Sequence, residues 1–402
     1  MDGPTRKVAA IFKPDDKRFI HIFTHKEYAA YMIRLVLIII LLLISLLAIF
    51  KAPTYHLWLL AIGVAEFAWI FAAITLVLLL SGFFAGKYQL AGTITGIIAF
   101  IIFLTPIFRA WSEGRQLTAI LDDTFGNGPT LQPSAPFSLM TMITGNHMKE
   151  VPSKTFNYHA SLYLDYYPSR SEGLRPCIIV IHGGSWSSGN SKQLPELNTY
   201  LANTGYHVAA INYRLAPAFQ CPHPIEDVYA AMEYLKVHAA ELKIDTTNFV
   251  LLGRSAGAQI ALLAAYRQPV PGLKGVIDFY GPADMVWGYS LPANPWVMDS
   301  RKVMEDYLGG SYTAVPKNYA ASSPVEFVNK NTVPTLIIHG EQDVLVAYEH
   351  STRLTQKLSA NGIKHFFLSL PWATHGFDYN LNGPGGQLST YTVERFLHYV
   401  TQ

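Results

Sequence analysis

Gly253-Arg254-Ser255-Ala256-Gly257 sets a serine between two glycines, after the apolar run Phe249–Leu252 and ahead of the helical pattern Ala256–Tyr266. A serine hydroxyl is a weak nucleophile until a base takes its proton and a fixed geometry presents it. A strand that turns sharply into a helix presents it, holding the hydroxyl out at the C-terminal edge of a sheet. The glycines permit the turn and leave room for neighbouring elements. The N-terminus of the following helix favours negative charge at the same place. The chemistry this arrangement suits is acyl transfer.

Acyl transfer develops an oxyanion that needs preorganised N–H donors. His182-Gly183-Gly184-Ser185-Trp186 follows the apolar run Ile178–Ile181, and its two glycines let the backbone come close to a substrate. The expected donors are the N–H groups of Gly183 and Gly184, with that of Ala256 as the third. His182 itself is read as a structural hydrogen-bonder. The base and its orienting acid come later in the chain: His375 in Thr374-His375-Gly376-Phe377 and Asp343 in His339-Gly340-Glu341-Gln342-Asp343. Each lies just past an apolar run, and the order Ser, Asp, His is that of a hydrolase built on this turn. The carboxylate fixes the imidazole tautomer and stabilises imidazolium. Glu341 and Asp284 are the competing acids, and Asp343 is preferred.

The elements that must hold these residues alternate. Ile178–Ile181, Val208–Ile211, Phe249–Leu252, Gly275–Phe279, Thr335–Ile338 and Phe366–Leu370 read as strands; Leu194–Thr204, Pro224–Ala240, Ala256–Tyr266 and Tyr348–Asn361 read as helices. Such alternation predicts an α/β fold with a mostly parallel sheet covered on both faces, over residues 151–402. The long connection between Phe279 and Thr335 carries Trp287, Tyr289, Trp296, Met298 and Tyr307. It reads either as a lid that lines an acyl pocket or as ordinary packing.

The chain has 402 residues, 50% of them apolar and only 14% charged. The excess lies near the N-terminus, where 31–50, 57–80 and 90–108 are each long enough to cross about 30 Å of hydrocarbon. The segment 1–30 precedes them, and 109–150 reads as a linker or lid-like stretch with the turn Gly126-Asn127-Gly128-Pro129. Lys17, Arg18, Lys26 and Arg34 precede or open the first span, Lys51 follows it and Lys87 lies between the second and third. The positive-inside rule then predicts a cytoplasmic N-terminus and, after three spans, an extracytoplasmic C-terminal domain; Arg109 and Arg115 run against it. Glu66 is costly in lipid and is expected to face the helix bundle. Gly82-x-x-x-Gly86 and Gly92-x-x-x-Gly96 have the spacing that lets helices approach closely. A net charge of +2 gives no sign of a nucleic-acid partner. Cys177 and Cys221 make neither a disulfide framework nor a zinc site, and whether they pair is left open.

From about 151 onward the chain resembles the α/β-hydrolases, nearest to the hormone-sensitive-lipase-like and feruloyl-esterase-like carboxylesterases. His182-Gly183-Gly184, Tyr213-Arg214-Leu215-Ala216-Pro217, Glu226-Asp227-Val228, Gly253-Arg254-Ser255-Ala256-Gly257, Asp343 and His375-Gly376-Phe377 carry the resemblance. It implies a two-step acyl-enzyme mechanism with no metal or organic cofactor, acting on a small-molecule or lipid-like ester. It also implies that Asp227 and Tyr213-Arg214 serve the scaffold. Ser185 stands where hormone-sensitive-lipase relatives usually carry a third glycine, which is more like the feruloyl-esterase group. An acyltransferase or a peptidase would use the same triad. The readings from other classes are a catalytically silent membrane scaffold or receptor, and a transport component that uses Glu66.

Overall fold

The structure, a computed structural model, describes residues 16–84, 90–126 and 135–402. Lys87, Gly86 and the Asn127-Gly128-Pro129 turn lie outside the described residues. The chain folds into two compact units: one holds the chain up to Leu46 together with Trp69–Leu104, the other Leu47–Ala68 together with Thr105–Gln402.

Among the described residues the N-terminal region holds the α-helices α1 (Asp16–Ser45), α2 (Tyr55–Glu66), α3 (Ala68–Ser81) and α4 (Leu90–Phe125). Ala29–Ala48 and Leu90–Phe125 are each long and apolar enough to cross a membrane. The predicted span 57–80 is not one helix. It breaks at Phe67 into α2 and α3, which amount to a span only if the broken pair is counted together. At the break, Glu66 is held by residues far along the chain. The Glu66 carbonyl accepts the Asn380 side-chain N–H at 3.0 Å, and its carboxylate accepts the N–H groups of Gly385 at 2.9 Å and Gly386 at 3.3 Å. Glu66 thus serves the C-terminal unit, where the sequence reading placed it facing a helix bundle. In the first unit Arg34 is buried and donates to the Leu78 carbonyl at 2.8 Å and to Thr93 at 3.3 Å. Gly82 and Gly92 leave the space its guanidinium fills, a use of small residues between helices.

The second unit is built on one sheet. Its strands are β1 (Lys154–His159), β2 (Leu162–Tyr167), β3 (Arg175–Ile181), β4 (His207–Ile211), β5 (Ile244–Arg254), β6 (Leu273–Phe279), β7 (Thr335–Gly340) and β8 (His365–Leu370), in the order β1-β2-β4-β3-β5-β6-β7-β8. β1–β2 and β2–β4 pair antiparallel, and every later pairing is parallel. The central strands are apolar on both faces because both are covered: β4 is buried at every position and β3 from Cys177 to Ile181. The helices of this unit are α5 (Leu139–Thr144), α6 (Pro195–Asn203), α7 (His223–Val237), α8 (Ala239–Leu242), α9 (Ala256–Tyr266), α10 (Met285–Ser290), α11 (Ser300–Leu308), α12 (Pro316–Ala321), α13 (Glu349–Ala360) and α14 (Pro384–Val400), and α6, α7, α8, α9, α13 and α14 pack on the sheet. α9, which follows the serine turn, is buried along its whole length. Cys177 is buried in β3 and, like Cys221, is a free thiol.

Asp278 sits fully buried near the end of β6, accepting the Gly281 N–H at 2.7 Å. Burial pushes its carboxyl up to about 7, against the pull of that N–H. A folded-state value above the unfolded one, near 3.9, gives stability that is full at low pH and is lost as pH rises through the folded value. Asp278→Asn removes this dependence. The stability advantage of wild type over the variant is expected to shrink by roughly 2–4 kcal/mol between pH 4 and pH 8. Thermal midpoints of the two proteins in detergent check it, and parallel pH profiles would contradict it.

Candidate active site

The three side chains singled out by the sequence all come from the C-terminal ends of parallel strands. Ser255 follows β5 directly, and its backbone has φ 53° and ψ −121°. A non-glycine residue there is strained, and the surroundings must impose it. They do: the Ser255 N–H donates to the Phe279 carbonyl at 2.9 Å, and its carbonyl accepts from Ala258 and Gln259. A Cβ on Gly257 would collide with the carbonyl oxygens of Ile181 and His182, and one on Gly253 with the backbone of Gly257 and Ala258. Gly257 is therefore needed for the turn to lie against β3, and Gly253 for α9 to start close against the end of β5.

Asp343 lies in the loop after β7 and His375 in the loop after β8. His375 Nδ1 is 2.7 Å from Asp343 Oδ2, both side chains buried. A second imidazole reaches the same oxygen: His339 Nε2 is 3.0 Å from Asp343 Oδ2, and His339 Nδ1 is 2.6 Å from Ser351 Oγ. The other oxygen accepts the N–H groups of Leu345 at 2.8 Å and Val346 at 2.9 Å. Burial alone would raise this carboxyl; the two imidazoles hold it well below the usual carboxylate range. The competing acids are engaged elsewhere. Glu341 accepts from Ser369. Asp284 caps α10 through the Trp287 N–H and pairs with Arg353 at 2.7 Å. Ser255 and Asp343 line one cavity of about 520 Å³, though no hydrogen bond joins Ser255 to His375 among the described residues. Such bonds are often loose before substrate binds.

The glycine turn after β3 departs from the expectation at one point. The Gly183 N–H donates to Gln193 Oε1 at 2.7 Å, which commits the first of the three expected donors to a side chain. The N–H groups of Gly184 and Ala256 have no acceptor among the described residues. His182 stacks on Tyr213 with ring centroids 4.3 Å apart and accepts the Tyr213 hydroxyl on its carbonyl at 3.1 Å. Burial pushes its imidazole down to about 4, in line with a structural part. Trp186 stacks on Tyr307 at 4.5 Å and donates to Gln259 at 3.0 Å. Asp227 takes the Arg214 backbone N–H and guanidinium, each at 2.8 Å, and fixes the turn after β4. Of the aromatic-rich connection, Met298 lines the cavity with Leu291 and Met304, whereas Trp287, Tyr289, Trp296 and Tyr307 do not.

Several residues near the site were not legible as such. Asp378 receives Arg254 Nε and the Tyr280 hydroxyl, each at 2.5 Å, and so ties the serine turn to the histidine loop inside the core. A cation buried inside the Gly-x-Ser-x-Gly turn demands a carboxylate partner, and that demand was the available signal. The Tyr280 ring lies 4.3 Å from the His375 ring. From α2, the Trp58 indole N–H donates to the His375 carbonyl at 3.0 Å, a link that nothing in the sequence announces.

Residues 164–358 match the family described as BD-FAE. The chain is 28% identical over 247 residues to the probable carboxylic ester hydrolase LipM of Mycobacterium tuberculosis, covering 57% of this chain and 56% of LipM. It is 27% identical over 242 residues to the esterase LipC of the same organism, covering 56% of this chain and 58% of LipC. The chain thus spans a little over half the length of these curated relatives. Its fold is similar to that of a truncated carbohydrate esterase from gut microbiota, with TM-score 0.52 and 23% identity over 61% of this chain and 98% of the other. It is also similar to carboxyl esterase 2 of the mycorrhizal fungus Tuber melanosporum, with TM-score 0.54 and 21% identity over 64% and 90%. Sheet order, serine turn and family match agree: the chain is similar to the α/β-hydrolase esterases, and 164–358 is the segment that matches BD-FAE.

Proposed function

We propose that this chain is a membrane-attached serine hydrolase of carboxylic esters. The observation that carries the reading is the His375–Asp343 hydrogen bond of 2.7 Å beside the cavity that Ser255 lines. His375 takes the Ser255 proton as Ser255 Oγ attacks the ester carbonyl. The N–H groups of Gly184 and Ala256 hold the oxyanion, while Gln193 occupies Gly183. The C–O bond breaks, His375 gives its proton to the leaving alcohol, and an acyl-serine remains. Water then attacks under the same base and releases the acid. An alcohol in place of that water would make the same machinery an acyltransferase, so the acceptor decides between the two.

Counted with the broken pair α2 and α3 as one span, the chain crosses three times. The positive-inside rule then puts the N-terminus in the cytoplasm and the chain after the third span outside it. Full-length protein in detergent is expected to turn over short p-nitrophenyl esters, and Ser255→Ala to lose that turnover by at least about 10³-fold. A folded wild type without turnover favours a silent scaffold.

A further inference from the structure

We infer that the mouth of this cavity is seated in the headgroup boundary of a bilayer, and that its substrate is the ester of an amphiphile resident there. The inference rests on the esterase reading and adds a route and a substrate class to it. Lys51-Ala52-Pro53 forms one part of the cavity wall, and Leu291-Pro292-Ala293-Asn294 another. The two are stitched together: the Tyr55 N–H donates to the Trp296 carbonyl at 3.0 Å, and the Asn294 side-chain N–H to the Pro53 carbonyl at 3.2 Å. Along these two segments four large apolar side chains stand in solvent: Trp296 is 77% exposed, Phe50 60%, Leu291 51% and Tyr55 46%. Exposed apolar groups gathered at a pocket mouth mark a contact surface, and Trp and Tyr are enriched where hydrocarbon meets headgroups.

Covalent connection says what that surface meets. The apolar segment Ala29–Ala48 ends two residues before Phe50. At no more than about 3.6 Å per residue, Phe50 lies within roughly 7 Å of the segment's end. A wall of the cavity therefore begins where the first span leaves the hydrocarbon. Among the described residues that line the cavity, Lys51 is the one lysine or arginine. Its stem can lie along apolar surface with the ammonium among headgroups. Behind the mouth, Met298, Val303, Met304, Leu345 and Val346 give an apolar lining that leads to Ser255, as an acyl chain requires. The reaction balances as before: the headgroup-bearing alcohol leaves with a proton from His375, and water releases the fatty acid.

The test compares two esters on the full-length protein in phosphatidylcholine vesicles, one a long-chain 4-methylumbelliferyl ester dissolved in the bilayer, the other water-soluble p-nitrophenyl acetate. The double variant Trp296→Ser, Phe50→Ser alters exposed positions that do not line the cavity. It is expected to cut hydrolysis of the vesicle-borne ester by roughly tenfold or more and that of the soluble ester by less than about twofold. Equal effects on both esters, or no effect on either, would overturn the inference. A wild type that hydrolyses only the soluble ester overturns this inference alone. A wild type that hydrolyses neither removes the esterase reading with it.

Discussion

Asp343→Asn is expected to lower kcat by about 10⁴-fold with the protein still folded. The reason lies in what surrounds the carboxylate. Oδ2 meets two imidazole nitrogens, at 2.7 Å from His375 and 3.0 Å from His339, and Oδ1 meets two backbone N–H groups. All four partners are served by an acceptor. An amide must turn its NH₂ toward one pair, and the backbone N–H groups cannot change, so the NH₂ faces the imidazoles. His375 then has to offer a bare Nδ1 and carry its proton on Nε2, where a base toward Ser255 is needed. The measurement is kcat on a soluble ester, with the KM and thermal midpoint recorded alongside. A loss below about tenfold would reassign the acid to Glu341 or Asp284, in spite of their present partners Ser369 and Arg353.

The second large effect falls on the N-terminal region. Glu66→Ala is expected to destabilise the catalytic unit by roughly 2–5 kcal/mol, because it leaves the buried N–H groups of Gly385 and Gly386 without their acceptor. These N–H groups open α14, just past the histidine loop, and α2 also holds that loop through Trp58 and the His375 carbonyl. Trp58→Phe keeps an aromatic side chain but loses the indole N–H and some ring volume, so its effect should fall on kcat by a fewfold to roughly tenfold, with a smaller change in thermal midpoint. Unfolding and turnover of both variants check the pair. An unchanged midpoint in Glu66→Ala would return Glu66 to the membrane and reopen the transport reading.

The parts of the fold that carry the chemistry were legible because their residues allow little else. A serine between glycines, after one apolar run and before a helical one, has few conformations open to it, and the helix Ala256–Tyr266 lies where the pattern puts it. The central parallel strands announced themselves as continuous apolar runs. The β1–β2 hairpin did not. Its first strand is mostly exposed, and its second hides Asp165 in the core, where Thr155 and Ser191 satisfy it. α14 was obscured by Pro384-Gly385-Gly386, which reads as a turn and instead lets the helix start close against Glu66. The second apolar stretch looked like one span because hydropathy sees only length and composition. At its break Glu66 is held by Asn380 and the start of α14, more than 300 residues away in sequence. The fate of the Gly183 N–H was hidden for the same reason: Gln193 is an ordinary polar residue until the loop brings it within 2.7 Å.

The central claim is that Ser255 is the nucleophile, and covalent capture tests it most directly. Full-length protein in detergent is treated with a fluorophosphonate probe, digested, and the adduct located by mass spectrometry. The account predicts one phosphonyl adduct, on Ser255, that is lost in Ser255→Ala and strongly slowed in Asp343→Asn. A folded protein that takes no probe, or takes it on another residue with Ser255 unmodified, would contradict the account.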